Sequence, residues 1–483
     1  MNNNISPKKV ITRFAPSPTG FMHVGGVRTA LYAWLWAKKN NGTMILRIED
    51  TDKVREVPGS IDHIIESLKW LGINWDEGPD IGGPNAPYLQ SQRLDSYKKY
   101  ADILVEKGLA YADPYTEEEL ENFRKKAEEE KRAFLYRDHR PENPPTWDGS
   151  MPLRLKITKI EKVKWHDLVR GDLEAGPESL DDFILIKSDG YPTYNFAHII
   201  DDLEMGVTHI FRADEFISST PKFLALYEAL EIERPEFVTL PPIMGPDGKK
   251  KLGKRDGAKD ILEYRKDGYL SEAVVNFLAL IGWNPGGEKE IFTVEELINL
   301  FTIEKIHTGG AKFNEEKLLW TNKEFIRNKS DGEFLAEIIA RNPDKDLVLN
   351  NVEKIVPVVK ERVAIWSDIN LMWQKGELQF FFQQPEYEKS LLYPKGLDDV
   401  TLIISHLHKA KEILEGNIDW RAESIKTDLW DYAAEVGRGN VLWPLRTALT
   451  GKEKSPDPFL VAEILGKTET LKRIDTAINT LKK

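Results

Sequence analysis

Two short stretches hold residue types that act on phosphate. The first lies within RFAPSPTGFMHVGGVRTAL, Arg13 to Leu31, where His23 stands just before the pair Gly25-Gly26 at the mouth of a helix-like run. A strand, a glycine-bearing turn and a helix N-terminus make an anion site, because unpaired backbone N–H groups and the helix dipole point at whatever sits there. Glycines without side chains let a ligand approach closely, and a histidine donates hydrogen bonds to phosphate or ribose. The competing reading of His23 is a core histidine beside a turn, the commoner role of a lone histidine. No G-x-G-x-x-G fingerprint is present, which disfavours a Rossmann dehydrogenase.

The second stretch is GKKKLGKR, Gly248 to Arg255; its last seven residues hold five cations. It nearly matches the P-loop pattern G-x-x-x-x-G-K-[ST]. Arg255, however, replaces the hydroxyl residue that would meet magnesium, and Asp256-Gly257 follow where an apolar helix should. It reads as a cationic loop that neutralises charge developing on phosphates in a transition state. The alternative is a solvated charge run, the usual account of such runs. Elsewhere, Arg13 ends an apolar strand, where a buried charge requires a ligand or an ion pair. Glu49-Asp50-Thr51-Asp52 is either functional or an acidic strand end capping the next helix.

The elements that must position these residues follow from periodicity. KKVITRFA reads as a strand ending at Ala15. RTALYAWLWAKKN reads as a helix with Leu31, Trp34 and Leu35 on one face and Lys38 and Lys39 at its C-terminal end. Asn41-Gly42 turns the chain into the strand TMILRIED, completing a βαβ unit with a parallel sheet. GSIDHIIESLKWLGI supplies another helix. From about Tyr88 the texture changes. Helices over Tyr97–Lys107 and Glu117–Arg132, a proline-rich loop and the β-like runs LRLKI, VKWHDLV and FILIKSDGYPTYNFA suggest an α+β insertion. THIFRADEF and EFVTLPPIMG are returning strands around the helix TPKFLALYEALEI. LSEAVVNFLALIGWN and TVEELINLF are amphipathic helices, and from Asn322 onward the patterns are almost wholly helical.

Composition sets outer bounds. The 483 residues allow two to four domains. There is no cysteine, which excludes disulfides and thiolate zinc sites and fits a reducing cytoplasm. No run of about 18 apolar residues occurs, so no membrane span is expected. MNNNISPKKV lacks the apolar core of a secretory signal, and a cytoplasmic location is expected. The net charge of −12 argues against a nucleic-acid partner when taken alone. An acidic enzyme still binds RNA through one basic face, its overall charge limiting non-specific binding.

Taken together, the motifs are specific. HVGG resembles the HIGH signature, and KLGKR the KMSKS signature, of class I aminoacyl-tRNA synthetases, in that family's order. RFAPSPTGFMHVGG, RIEDTD, YPTYNFAHIIDD and HIFRADEFISSTP closely resemble the bacterial glutamyl-tRNA synthetases. The likeness runs from about residue 10 to residue 325 and rests beyond that on length and helical character. It implies an α/β fold: a class I Rossmann-like parallel-sheet catalytic domain, an inserted α+β acceptor-binding domain and an all-helical C-terminal anticodon-binding region. The implied domains are 1–88 and 191–248 for the two halves of the catalytic domain, 89–190 for the insertion, 249–325 for the KMSKS-type loop and helical stem-contact domain, and 326–483 for the anticodon-binding region.

The implied activity is a glutamate–tRNA ligase that uses ATP with Mg2+, L-glutamate and tRNA(Glu), acts as a monomer, and has no zinc and no membrane partner. By residue, the resemblance places Arg13, Ala15, Ser17, Glu49, Tyr194, His198 and Arg212 at glutamate; the two arginines meet carboxylates and Glu49 the α-amino group. It places His23, Gly25, Gly26, Lys251, Lys254 and Arg255 at ATP, with Lys254, Lys251 and His23 as the catalytic set. The chain departs from the family's pattern at Gly253, where serine is usual, and at His198, often asparagine. Tryptophans in VAIWSDINLMW and DLWDYAAEV either stack on anticodon bases or fill a core, the commoner role.

Competing readings meet specific obstacles. A glutaminyl-tRNA synthetase would end in β-barrels, against the helical pattern after Asn322. A truncated paralogue that glutamylates a modified tRNA base would stop near residue 300. A P-loop NTPase would depend on Gly248–Arg255 and have no use for His23. A non-catalytic RNA-binding protein has no use for Arg13, Glu49 and Arg212.

Overall fold

In the computed structural model, which describes residues 9–253, 259–350 and 352–483, the apolar run after Lys9 forms a central strand, β1 (Ile11–Phe14). It belongs to a four-stranded parallel sheet with β2 (Thr43–Leu46), β8 (His209–Ala213) and β9 (Glu236–Leu240), in the order β2-β1-β8-β9. Helices cover the sheet, so its strands read as continuous apolar runs without alternation. The chain leaves β1 toward one edge and β8 toward the other. The crevice at the carboxyl ends of β1 and β8 is therefore the topological switch point, where ligands bind in open α/β sheets. Arg13 and Arg212 lie at those two strand ends.

The crossover helix α1 (Val24–Lys39) starts four residues before the sequence pattern suggests. Gly25 and Gly26 thus lie in its first turn, and His23 is the N-cap, with extended backbone. Lys38 and Lys39 occupy the last turn as expected. After β2 comes α2 (Ser60–Trp70), whose N-cap is Gly59. The expected capping of this helix by the acidic run is not made. Asp52 instead accepts the Arg55 N–H and pairs with its side chain, a purely local turn.

The inserted region holds α3 (Leu94–Glu106), β3 (Ala110–Ala112), α4 (Glu117–Glu129), β4 (Leu153–Leu155), the hairpin β5 (Val163–Asp167) and β6 (Gly171–Ala175), and β7 (Ile184–Ile186). β3, β4 and β7 form an antiparallel sheet. Helix α4 carries a Thr116–Glu119 capping box and buries only Ala127, as befits a solvated charged helix. Tyr97, Leu104, Leu153 and Leu185 join Phe196, Ile199, Ile210 and Phe237 in one hydrophobic cluster, so the insertion shares the core of the parallel sheet.

One expectation fails here. YPTYNFA does not continue as β structure. Helix α5 (Tyr194–Glu204) begins at Tyr194, because Phe196, Ile199 and Ile200 fall on a buried helical face. Next, α6 (Thr220–Leu230) joins β8 to β9. β10 (Ile243–Met244) pairs with β11 (Ala311–Lys312). Between these two strands lie α7 (Ile261–Lys266), α8 (Ser271–Ala279) and α9 (Val294–Leu300). After β11 comes α10 (Glu315–Arg327).

The chain divides into two units at Thr321/Asn322. Among its described residues the second unit is wholly helical: α11 (Asp331–Ala340), α12 (Val356–Lys360), α13 (Ser367–Gln374), α14 (Val400–Gly416), α15 (Ala422–Val436), α16 (Arg438–Thr450), α17 (Pro458–Leu465) and α18 (Lys467–Lys482). Trp366 and Trp373 are buried in its core. Trp430 is half-buried, with the Arg438 guanidinium 4.3 Å from its ring centre.

The turn between α1 and β2 tests the packing. Asn41 takes the left-handed conformation, and a Cβ on Gly42 would overlap the Val10 carbonyl oxygen, which the Thr43 N–H also needs. Gly42→Ala is expected to cost roughly 1–3 kcal/mol by overpacking against backbone, read as a lowered Tm in thermal melts; an unchanged Tm would contradict this account.

Candidate active site

At the switch point the chain buries a network of charges. Arg13, at the end of β1, donates from Nε to Asp202 Oδ1 at 3.0 Å and from Nη1 to the Phe211 carbonyl at 3.4 Å. Arg47, just past β2 and fully enclosed, donates to the same Asp202 oxygen at 2.7 Å and to Glu49 Oε1 at 3.1 Å. Arg93 pairs with Asp201 and Glu204, each at 2.7 Å. Gln90 and Tyr97 also donate to Asp201. The counter-charges thus come from Asp201 and Asp202 on α5. Burial opposes ionisation of Asp202, yet Arg13 and Arg47 hold its carboxyl below the ordinary value. For Glu49, burial outweighs the pull of Arg47 and Arg13 and raises the carboxyl to about 7.

Arg212 is different. It is only 4% exposed, yet no carboxylate among the described residues pairs with it. Nη2 donates to Thr220 Oγ1 at 2.8 Å, and the guanidinium lies 4.5 Å from the Phe237 ring centre and 5.3 Å from that of Phe223. Nε and Nη1 have no hydrogen-bond partner. Burial lowers its pKa. A buried cation with two unused donors is costly in isolation, and those N–H groups remain open to an anion.

Tyr194 opens α5 and stacks on His198, ring centres 4.6 Å apart. Burial raises the Tyr194 pKa, and Glu49, Arg13 and Arg212 all act on it, so these groups surround one ring. His198 is buried and donates from Nδ1 to the Tyr194 carbonyl at 2.7 Å. Burial pushes its pKa down to about 3, so the imidazole is neutral, with Nε2 an acceptor. Ala15 and Ser17 lie in the turn after β1, half-buried and exposed respectively. That turn is fastened to the segment after β2 by Arg47 N–H to Phe14 O and Glu49 N–H to Pro16 O, both 3.0 Å.

His23 accepts the Gly25 N–H on Nδ1 at 3.1 Å. A Cβ on Gly25 would come within 2.9 Å of the His23 ring, so that glycine makes room for the cap. A Cβ on Gly26 would meet only ordinary contacts with Met22 and Phe14. Packing does not demand this glycine, which costs about 1 kcal/mol against alanine in a helix. Lys251 forms an ion pair with Glu215, in the 3-10 turn after β8. Lys254 and Arg255 lie outside the described residues. Five residues past Arg255, Asp260 pairs by backbone with His23, and Ile261 N–H donates to Met22 O at 3.0 Å. The chain that follows the basic stretch thus lies against the first motif at Asp260 and Ile261.

Asp50 has a structural part: it accepts both the N–H and the hydroxyl of Ser91. Sequence reasoning missed Arg47, Asp202 and Thr220. A charge within MILRIE and the acidic pair within FAHIIDD were the available signals.

Comparisons with known proteins bear on this geometry. Residues 9–320 match the family of class I tRNA synthetases (E and Q), catalytic domain, and residues 332–478 match an anticodon binding domain. A glutamate–tRNA ligase of Clostridium kluyveri is 42% identical, the alignment covering 98% of each chain. Its counterpart in Clostridium tetani is 41% identical over 100% of this chain and 99% of its own. The crystal structure of a glutamate tRNA ligase from Elizabethkingia meningosepticum, in complex with its amino acid, superposes with a TM-score of 0.86 at 37% identity, covering 98% of this chain and 100% of that one.

The His198 shift has a signed consequence. Its folded pKa of about 3 lies below the ordinary 6.5. As pH falls from 6.5 toward 3 the unfolded chain takes up a proton that the folded chain refuses, so stability drops by up to about 1.4 kcal/mol per pH unit. Melts of wild type and His198→Asn between pH 4.5 and 7.5 should show a shallower acid limb for the variant; parallel limbs would contradict it.

Proposed function

Since the chain belongs to the class I tRNA synthetases of the glutamate and glutamine type, we propose that its buried arginine pair receives the carboxylates of glutamate. The reaction is that of a glutamate–tRNA ligase. The α-carboxylate of L-glutamate attacks the α-phosphorus of ATP, giving glutamyl-adenylate and pyrophosphate. A hydroxyl of the 3'-terminal adenosine of tRNA(Glu) then attacks the acyl carbon, and AMP leaves. Neither step needs a covalent bond to the protein; catalysis is positioning plus stabilisation of phosphate charge.

The observation that carries this reading is Arg212, buried with Nε and Nη1 unpartnered. Arg13 supplies the second cation, its charge already balanced in part by Asp202. Glu49 meets the α-ammonium, Tyr194 and His198 form the aromatic wall, and Ala15 and Ser17 line the turn. ATP, carrying Mg2+, sits at the N-terminus of α1, where His23, Gly25 and Gly26 admit its phosphates. Lys251 and Lys254, with Arg255, neutralise the charge of the leaving pyrophosphate. The exposed Lys251–Glu215 pair is worth about 1 kcal/mol or less, so phosphate displaces Glu215 readily.

Residues 1–88 and 191–248 make the catalytic domain, 89–190 hold the acceptor end, 249–325 contact the stem, and 326–483 read the anticodon. The enzyme works as a cytoplasmic monomer without zinc. No helix among the described residues is long and apolar enough to cross a membrane.

Charging assays with ATP, magnesium, radiolabelled glutamate and matching tRNA test the reading. Arg212→Ala should lose roughly 1.5–3 kcal/mol, about ten- to a hundredfold in kcat/KM for glutamate, with the KM for ATP nearly unchanged. Charging with glutamine in place of glutamate would overturn it. Because Glu49 is protonated below about 7 and ionised above, kcat/KM for glutamate should rise with pH through that range. In Glu49→Gln the limb should vanish.

A further inference from the structure

His63 belongs to none of the groups assigned above, yet it contacts Met22, which precedes His23, and Asp260, whose backbone pairs with His23. It lies on α2 with Ser67 one turn further on. Its Nε2 is 2.9 Å from each carboxylate oxygen of Asp260. A carboxylate only accepts, so Nε2 carries the proton. Nδ1 is then the acceptor, facing the Met22 N–H at 3.4 Å and the Ser67 hydroxyl at 3.3 Å. Phe21 stacks on the same ring, centres 4.5 Å apart, although its own side chain is largely exposed.

Asp260 is a node. Its backbone pairs with His23, its carboxylate caps α7 by accepting the Leu262 N–H at 2.9 Å, and its neighbour Ile261 donates to Met22 O. A second link, Glu66 to Arg265, ties the same face of α2 to α7. One imidazole thus grips the residue before His23 and the residue paired with His23. We propose that His63 is a positioning residue for the nucleotide step: through Asp260 and Met22 it sets the orientation of the turn that presents His23, Gly25 and Gly26 to the phosphates of ATP. This rests on the reading of that turn as the ATP site.

The test is ATP–pyrophosphate exchange by the full chain with glutamate, magnesium and tRNA present. His63→Leu should raise the KM for ATP about tenfold, the worth of one or two hydrogen bonds, and leave the KM for glutamate within about twofold. His63→Gln, which keeps an N–H within reach of Asp260, should recover most of the loss. His63→Asn, too short for Asp260, should not, and this pair decides the matter if the leucine variant folds poorly. An unchanged KM for ATP in His63→Leu and His63→Asn, with a raised one in His23→Ala, overturns the role of His63 alone. An unchanged KM in His23→Ala as well overturns the ATP site itself. Equal changes in both KM values would mark His63 as merely structural.

Discussion

The geometry of the site depends on one interaction, the fully buried contact between Arg47 and Asp202. A single carboxylate oxygen, Asp202 Oδ1, takes hydrogen bonds from Arg47 at 2.7 Å and from Arg13 at 3.0 Å. It thereby ties the ends of two adjacent parallel strands to one helix. Removing either partner leaves the other buried charge with only part of its compensation, which is destabilising, so the arrangement tolerates little drift. Helix α5 propagates this constraint. Tyr194, His198, Asp201 and Asp202 recur at helical spacing on one face. The counter-charges at its end therefore fix the aromatic wall at its beginning.

Two arginines at neighbouring strand ends are treated in opposite ways. Arg13 is neutralised within the protein, while Arg212 receives a hydroxyl, two aromatic faces and no anion. The difference is a matter of where the free energy is stored. Burying Arg212 with unused donors destabilises the unliganded protein, and under the proposed function a carboxylate ligand relieves that cost. Glu49 sits between these extremes. Its pairing with Arg47 does not overcome burial, and its carboxyl titrates near 7. Under the proposed function, a carboxylate held so close to neutrality gains most from the ammonium of the ligand.

The parallel sheet and the helical second unit were legible because their cores are made of periodic apolar residues, which local sequence reports directly. Helix α5 was not, since Tyr, Pro, Thr and Phe at its start carry β or turn character, and the helical period shows only from Phe196 onward. The first turn of α1 was hidden for a related reason: two glycines there look like a turn until the His23 side chain is seen capping Gly25. Arg13 and Glu49 stand out by type and position, whereas Tyr194, His198 and Arg212 were pointed to only by the family resemblance. Arg47–Asp202 could not be paired, because the partners lie 155 positions apart and no local rule joins them. The tryptophans divide: Trp366 and Trp373 are core, and Trp430 keeps a half-buried face against Arg438.

Neither phosphate motif is persuasive by itself, and the fold explains why the two belong together. β1 delivers His23 to the switch point from one side. β8 delivers the Glu215 turn, against which Lys251 lies, from the other. The segment after the basic stretch then crosses back and pairs with His23 through Asp260. The backbone pairing of His23 with Asp260, more than the composition of either motif, supports the proposal that the two stretches serve one site.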